Sequence, residues 1–206
     1  MLFFETIDVK TLELLRRIQG IPVFSGLCLV GGTSLALQIG HRKSVDLDLF
    51  GEISGDEFSI SKELNALGNV IQLKKSENIN MYSINDIKVD IVNYPYKWID
   101  EKIVHDEIIL AGKKDIAAMK LAAVTGRGTK KDFIDIYFLL QNFTIEDLLF
   151  FYNNKYDDGS EFMVLKSLIY FEDANEDETP FMLAPIDWQQ IKSSIKTKVE
   201  KYISDY

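Results

Sequence analysis

The sequence predicts an α+β fold, a mixed β-sheet with flanking helices followed by a helical C-terminal half. Three observations carry this. Strand-like segments occur only before residue 112. After Gly112, apolar residues recur at helical spacing through several capped segments. At 206 residues the chain can build one good core with a smaller helical domain appended. The predicted division is an α/β domain over 1–112 and a helical domain over 113–206.

Taken in order, Asp8 caps a first helix to Gln19, with Val9, Leu12, Leu15 and Ile18 spaced for one apolar face. Gly20-Ile21-Pro22 ends it. Leu27 to Val30 reads as a short buried strand, broken by Gly31-Gly32; Thr33-Ser34 opens a helical segment, Leu35 to Ile39. Asp46-Leu47-Asp48-Leu49 alternates as a strand does, which aims Asp46 and Asp48 to one face and Val45, Leu47 and Leu49 into the core. Asp56 caps a second helix, with Phe58, Leu64 and Leu67 on its buried side. Val70 to Lys74, Ile79 to Ile84 and Ile87 to Asn93 read as strands, the last two joined in a hairpin by Asn85-Asp86. Ile108 to Leu110 is one more short strand.

In the second half Asp115 is expected to cap Ile116 to Thr125, and Lys131 to Asn142 follows after a Gly126-Arg127-Gly128 turn. Thr144 with Asp147 makes a capping box for Ile145 to Tyr152. Ser160 to Phe171 is helical, Glu172 to Pro180 an acidic loop, and Asp187 to Ile203 the last helix.

Composition narrows the function. A net charge of −9 argues against broad, non-specific nucleic-acid binding but allows a local basic groove, for which Arg127 to Lys131 is a candidate. No apolar run approaches the length needed to span a bilayer, and the N-terminus lacks the pattern of a signal peptide. The single cysteine, Cys28, reads as a small core residue, in keeping with a reducing cytoplasm. Without a histidine–cysteine cluster, zinc is not indicated.

Two constellations could do chemistry. The first is Gly31-Gly32-Thr33 with Asp46 and Asp48. Adjacent glycines make a turn, but they also let a backbone approach a phosphate closely, and the following helix N-terminus offers N–H groups to an anion. Two carboxylates on one face repel unless a cation lies between them, and hard oxygen ligands suit Mg²⁺. Asp90, mid-strand among Ile87, Val89 and Ile91, is either an edge residue or a third member of that set, which could then hold one or two Mg²⁺ and orient a triphosphate. Arg42 and His41 either bind phosphate or hold their loop. The second constellation is Lys120 with Asp132 and Asp135. Lys120 falls within the apolar periodicity of its helix, where a lysine snorkels, pairs with an acid or reaches a phosphate. Asp132 and Asp135 stand one turn apart and can face one site, although Asp132 also suits the first turn of a helix.

Together Gly31-Gly32-Thr33-Ser34-Leu35-Ala36-Leu37, Gly40-His41-Arg42-Lys43-Ser44-Val45-Asp46-Leu47-Asp48-Leu49-Phe50, Lys120 and Lys131-Asp132-Phe133-Ile134-Asp135 resemble the nucleotidyltransferases of the AbiEii/AbiGii toxin family, within the DNA polymerase β-like superfamily. The resemblance implies a nucleotidyltransferase-type sheet and a helical C-terminal domain. It implies that Gly32 and Thr33 hold the triphosphate, that Asp46 and Asp48 bind Mg²⁺ with Asp90 as third carboxylate, that Lys120 contacts phosphates, and that Asp132 or Asp135 serves the acceptor as base or positioning group. The implied activity is Mg²⁺-dependent transfer of a nucleoside monophosphate from an NTP to an RNA or protein acceptor, as the toxin of a toxin–antitoxin or phage-defence pair with an antitoxin partner. Two alternatives stay open: a non-catalytic interaction module that keeps the fold, and a phosphotransferase that uses the same site.

Overall fold

The computed structural model describes residues 1–205. The chain forms two compact units, Met1–Tyr96 with Glu101–Ala111, and Lys97–Asp100 with the chain from Gly112 onward. The sequence reading had no place for the crossing at 97–100. Its cause is Asp115, whose carboxylate accepts the N–H groups of Ile99 and Asp100.

The first unit holds a mixed sheet. Among the described residues its seven strands are β1 (Leu27–Leu29), β2 (Leu47–Gly51), β3 (Val70–Lys75), β4 (Ile79–Ile84), β5 (Ile87–Asn93), β6 (Ile103–His105) and β7 (Ile108–Leu110), in the order β3-β4-β5-β2-β1-β7-β6. β2 runs antiparallel to β1 and parallel to β5. The β4–β5 hairpin turns at Asn85-Asp86 as expected, both at positive φ, with Ile84 paired to Ile87. A second two-residue hairpin, Asp106-Glu107, joins β6 to β7. Sequence reading found β7 and missed β6, because Asp-Glu is a weak hairpin signal.

Helix α1 (Val9–Gln19) starts at the Asp8 cap, which accepts from the Lys10 N–H. Leu15 and Ile18 of the predicted face are buried and Leu12 packs against the core, but Thr11 and Leu14 join them in place of Val9, which is exposed. Positions 11, 14, 15 and 18 follow the i, i+3, i+4, i+7 pattern. Helix α2 (Gly31–Ile39) begins at the first glycine rather than after Thr33, and Gly40 closes it in the left-handed region, with φ 71°. Helix α3 (Glu57–Asn65) has its Asp56 cap, but Phe58 is exposed. Phe58 lies nearly opposite Ile60 around the helix; Ile60, Leu64 and Leu67 share the inner face. The sheet core is built from Leu15, Ile18, Phe24, Leu27, Leu29, Leu47, Leu49, Val89 and Ile91, all essentially buried, and Cys28 is buried beside them.

The second unit contains α4 (Lys113–Gly126), α5 (Lys130–Leu139), α6 (Ile145–Lys155), α7 (Glu161–Leu168), the one-turn α8 (Glu172–Asn175) and α9 (Trp188–Ser204). Helix α4 packs against α5, α6 and α7, and α9 packs against the same three. The Thr144/Asp147 capping box is present, and Ser160 and Asp187 cap α7 and α9. Two readings need correction. Gly112, not Asp115, is the N-cap of α4, and α8 occupies the start of the expected acidic loop. No helix among the described residues is long and apolar enough to cross a membrane.

Candidate active site

Asp46 and Asp48 stand where β2 begins, in the interior of the sheet. The parallel register pairs Asp48 with Asp90 and Leu47 with Val89. Directly paired residues of parallel strands present their side chains to one face, so Asp48 and Asp90 are neighbours. Continuing that register one step brings Asp46 abreast of Lys88. Leu47, Leu49, Val89 and Ile91 fill the opposite, buried face. Val45 does not join them; it is 63% exposed and lies two residues before the strand starts at Leu47.

The polar face carries Asp48, Asp90 and Lys88, and Asp46 is near enough for its charge to act on the Lys88 ammonium. Lys88 Nζ donates to Asp90 Oδ2 at 2.8 Å. Burial by itself would lower the Lys88 pKa. The hydrogen bond to Asp90 and the fields of Asp90, Asp48 and Asp46 outweigh it and hold the group above its ordinary value, so the ammonium persists at neutral pH. Asp90 Oδ1 is buried with no hydrogen-bond partner, which is costly in the absence of a cation or water.

Helix α2 points its N-terminus at this face. The Val30 N–H donates to the Asp48 carbonyl, and Gly31 follows with φ 67°. A Cβ at Gly31 would overlap the Asp48 carboxylate. Glycine is therefore required twice, for its backbone conformation and for the space. The first N–H groups of a helix lack intrahelical partners and carry the positive end of its dipole, so Gly31 and Gly32 offer donors beside the carboxylates. We expect Gly31→Ala to cost about 1–2 kcal/mol from the positive φ alone and to reduce activity by displacing Asp48. A urea midpoint with a rate measurement checks both, and an unchanged rate would show that the Asp48 position does not matter.

Thr33 and Arg42, expected among the nucleotide ligands, face inward. Thr33 is 1% exposed; its Oγ1 donates to the Asp46 carbonyl and lies 2.8 Å from Ser44 Oγ. Arg42 is 3% exposed and donates to the Lys43 carbonyl at 3.1 Å; His41 is buried beside it. These contacts hold the 40–46 loop. They position Asp46 from behind.

Would these residues accept a divalent ion? Among the described residues no group of three or more His, Cys, Asp or Glu is placed to hold a metal ion. Asp90 Oδ2 is taken by Lys88. Mg²⁺, however, is ordinarily held by only one or two carboxylates plus waters and substrate phosphates. A like-charged Asp46/Asp48 pair and an orphaned buried Asp90 oxygen fit that mode.

The other constellation lies in the helical unit. Lys120 Nζ bridges Asp132 Oδ1 at 2.8 Å and Asp135 Oδ2 at 2.6 Å, all three side chains being nearly or fully buried. Asp132 Oδ2 also accepts from the Thr129 N–H and hydroxyl, closing a capping box on α5. Burial would raise the Asp132 pKa, but the Lys120 charge and the bonds from Lys120 and Thr129 more than compensate and hold it below the usual carboxylate range. A carboxyl with a lowered folded-state pKa stabilises the fold above its unfolded value, about 4, and loses that contribution as pH falls below it. Asp132→Asn should therefore flatten the acid limb of stability between pH 5 and 3. Urea midpoints across that range check it, and an unaltered limb would refute the coupling.

Sequence reading missed the role of Lys130. It is buried, its N–H donates to Asp177 Oδ2 and its ammonium to the carbonyls of Asn175 and Asp177. The most basic stretch of the chain thus spends one lysine on anchoring its most acidic one, which leaves Arg127 and Lys131 as its exposed cations.

Comparison with known proteins follows this geometry. The family model for the nucleotidyl transferase AbiEii toxin, Type IV TA system, matches residues 13–204. An uncharacterized protein of Aquifex aeolicus (strain VF5) is 33% identical over 199 residues, covering 94% of this chain and 96% of that protein. Among solved structures, the nucleotidyltransferase toxin MenT4 of Mycobacterium tuberculosis H37Rv superposes with TM-score 0.61 at 15% identity, covering 97% of this chain and 83% of that one. A putative nucleotidyltransferase of H. pylori gives 0.57 at 16% identity over 96% of both chains. At these identities the superpositions speak for the fold.

Proposed function

The chain belongs to the AbiEii nucleotidyltransferase toxin family, and on that premise we propose that it transfers a nucleoside monophosphate from an NTP to an RNA or protein acceptor in a Mg²⁺-dependent reaction, with an antitoxin counterpart in the same cytoplasm. The observation that carries this reading is the Asp46/Asp48 pair at the start of an interior strand, against a glycine-initiated helix N-terminus.

The residues divide the work as follows. The Gly31 and Gly32 N–H groups take phosphate oxygens of the NTP at the positive end of α2. Asp46 and Asp48 would hold a divalent ion, which would supply charge neutralisation for phosphoryl transfer. Asp90 completes the carboxylates of that face. The acceptor hydroxyl oxygen attacks the α-phosphorus and loses its proton to a carboxylate of the site or to water, while the bond to the bridging oxygen breaks and pyrophosphate leaves with that electron pair. Thr33 and Arg42 act from behind, through the loop that fixes Asp46.

Lys120 is proposed as a phosphate contact and Asp132 or Asp135 as an acceptor-side group. Their ion pairs set a condition on those roles: a phosphate at Lys120 shares its charge with Asp132 and Asp135. Acceptor choice follows charge. At −9 overall, an RNA acceptor needs a locally basic surface, to which Arg127 and Lys131 contribute.

Incubation of the protein with Mg²⁺, cell extract and NTPs labelled at the α- or γ-phosphate tests the reading. Transfer of α-label with release of pyrophosphate is expected. Transfer of γ-label alone would make the protein a phosphotransferase, and labelling of neither kind would refute the proposal.

A further inference from the structure

The acidic face of the sheet brings its own cation. Asp48 and Asp90 are paired across β2 and β5, and Asp46, Asp48 and Asp90 all act on the Lys88 ammonium. Lys88 is the residue beside Asp46 and two before Asp90 on the same face, and its Nζ lies 2.8 Å from Asp90 Oδ2. Its side chain is 40% exposed, against 15% for Asp90, so the ammonium sits at the mouth of the face with its stem along the strand. A lysine could extend into solvent from that position; here it folds back onto the carboxylate.

We propose that Lys88 is a resident cation that reserves Asp90 and limits the site to one divalent ion, held by Asp46 and Asp48. The inference rests on the metal-site reading above and deepens it. A second divalent ion needs ligands, and the available third carboxylate already has half of its donor capacity taken. It would also have to enter beside a fixed positive charge, which repels it. Lys88 then does electrostatically part of what a second ion does in two-metal phosphoryl transfer: it places a positive charge where the nucleotide phosphates arrive. Lys88 is a positioning residue in this account, since it acts through Asp90.

The test is a titration of the full chain with Mn²⁺ alone, reading bound ion per chain from the paramagnetic resonance signal of free Mn²⁺. The wild-type protein is expected to bind one ion. Lys88→Met frees Asp90 and should bind two. Lys88→Arg keeps the charge and should return to one, as should Lys88→Met combined with Asp90→Asn. A merely structural Lys88 would not produce that pattern, and the melting temperature of each variant confirms that it is folded. One ion in both wild type and Lys88→Met overturns the inference, as do two in the wild type or two in the double variant. No bound Mn²⁺ in the wild type overturns the Asp46/Asp48 assignment itself, and this inference with it.

Discussion

Asp46→Ala and Asp48→Ala are each expected to lower nucleotidyl transfer by about a thousandfold or more, because the charge stabilisation that a divalent ion gives this chemistry amounts to several kcal/mol and these two residues are its proposed ligands. Stability should move in a different way. Both aspartates are only partly buried and like-charged, so removing one relieves repulsion while it weakens the field around Lys88. The net change should stay within about 1 kcal/mol, or roughly 2–4 °C in Tm for a chain of this size. A steady-state rate with α-labelled NTP, paired with a melting curve, separates the two effects. Full activity in either variant would remove that residue from the site. Inactivity accompanied by a large fall in Tm would mean that the residue serves the fold.

The second large effect is on stability, in the helical unit. Lys155 and Asp115 form an ion pair at 2.7 Å with both side chains fully buried. Lys155 also donates to the Lys97 carbonyl at 2.9 Å and stands 4.7 Å from the Trp98 ring centroid. Asp115 accepts in addition from the Ile99 and Asp100 N–H groups. Every strong donor and acceptor here is matched, which makes a buried pair tolerable. Removing one partner leaves a buried charge without compensation and typically costs about 3–5 kcal/mol. Lys155→Met should fall in that range and lower Tm by about 10 °C. Asp115→Asn, close in shape, should cost a similar amount. Because the two residues share one interaction, the double variant should cost less than the sum of the singles. Chemical denaturation followed by tryptophan fluorescence suits the measurement, since Trp98 lies in the affected segment. A loss under about 1 kcal/mol for Lys155→Met would show that water or rearrangement satisfies Asp115.

Much of the local structure was legible in the chain. Asp8, Asp56, Thr144 and Asp187 announce helix starts because their side chains can reach backbone N–H groups only two or three residues away. Asn85-Asp86 marks its hairpin for a similarly local reason, tolerance of positive φ. Errors came where a pattern was carried past the element that gives it meaning. Val45 was counted as inward by alternation, but the strand begins two residues later. Phe58 was assigned to a buried face that its angular position excludes. Asp115 looked like a cap because an acid beside a helix start usually is one; its partners include Lys155, forty residues further on, which no local pattern records.

The site divides along the same line. The sequence alone determined the residue types and the spacing: a glycine pair, two carboxylates at i and i+2, a lysine within an apolar helix face and acids one turn apart. From these come the fold class, the family resemblance and the shared face of Asp46 and Asp48. Tertiary structure decided what each group is spent on. The β2–β5 register set Asp90 beside Asp48 and gave Lys88 a partner; packing turned Thr33 and Arg42 inward to hold the loop; and α4 against α5 closed Lys120 onto Asp132 and Asp135. The physical reason is that periodicity and capping act within a turn or a strand, whereas burial and charge pairing depend on which segments meet, and a buried charge takes whatever counter-charge the fold brings to it.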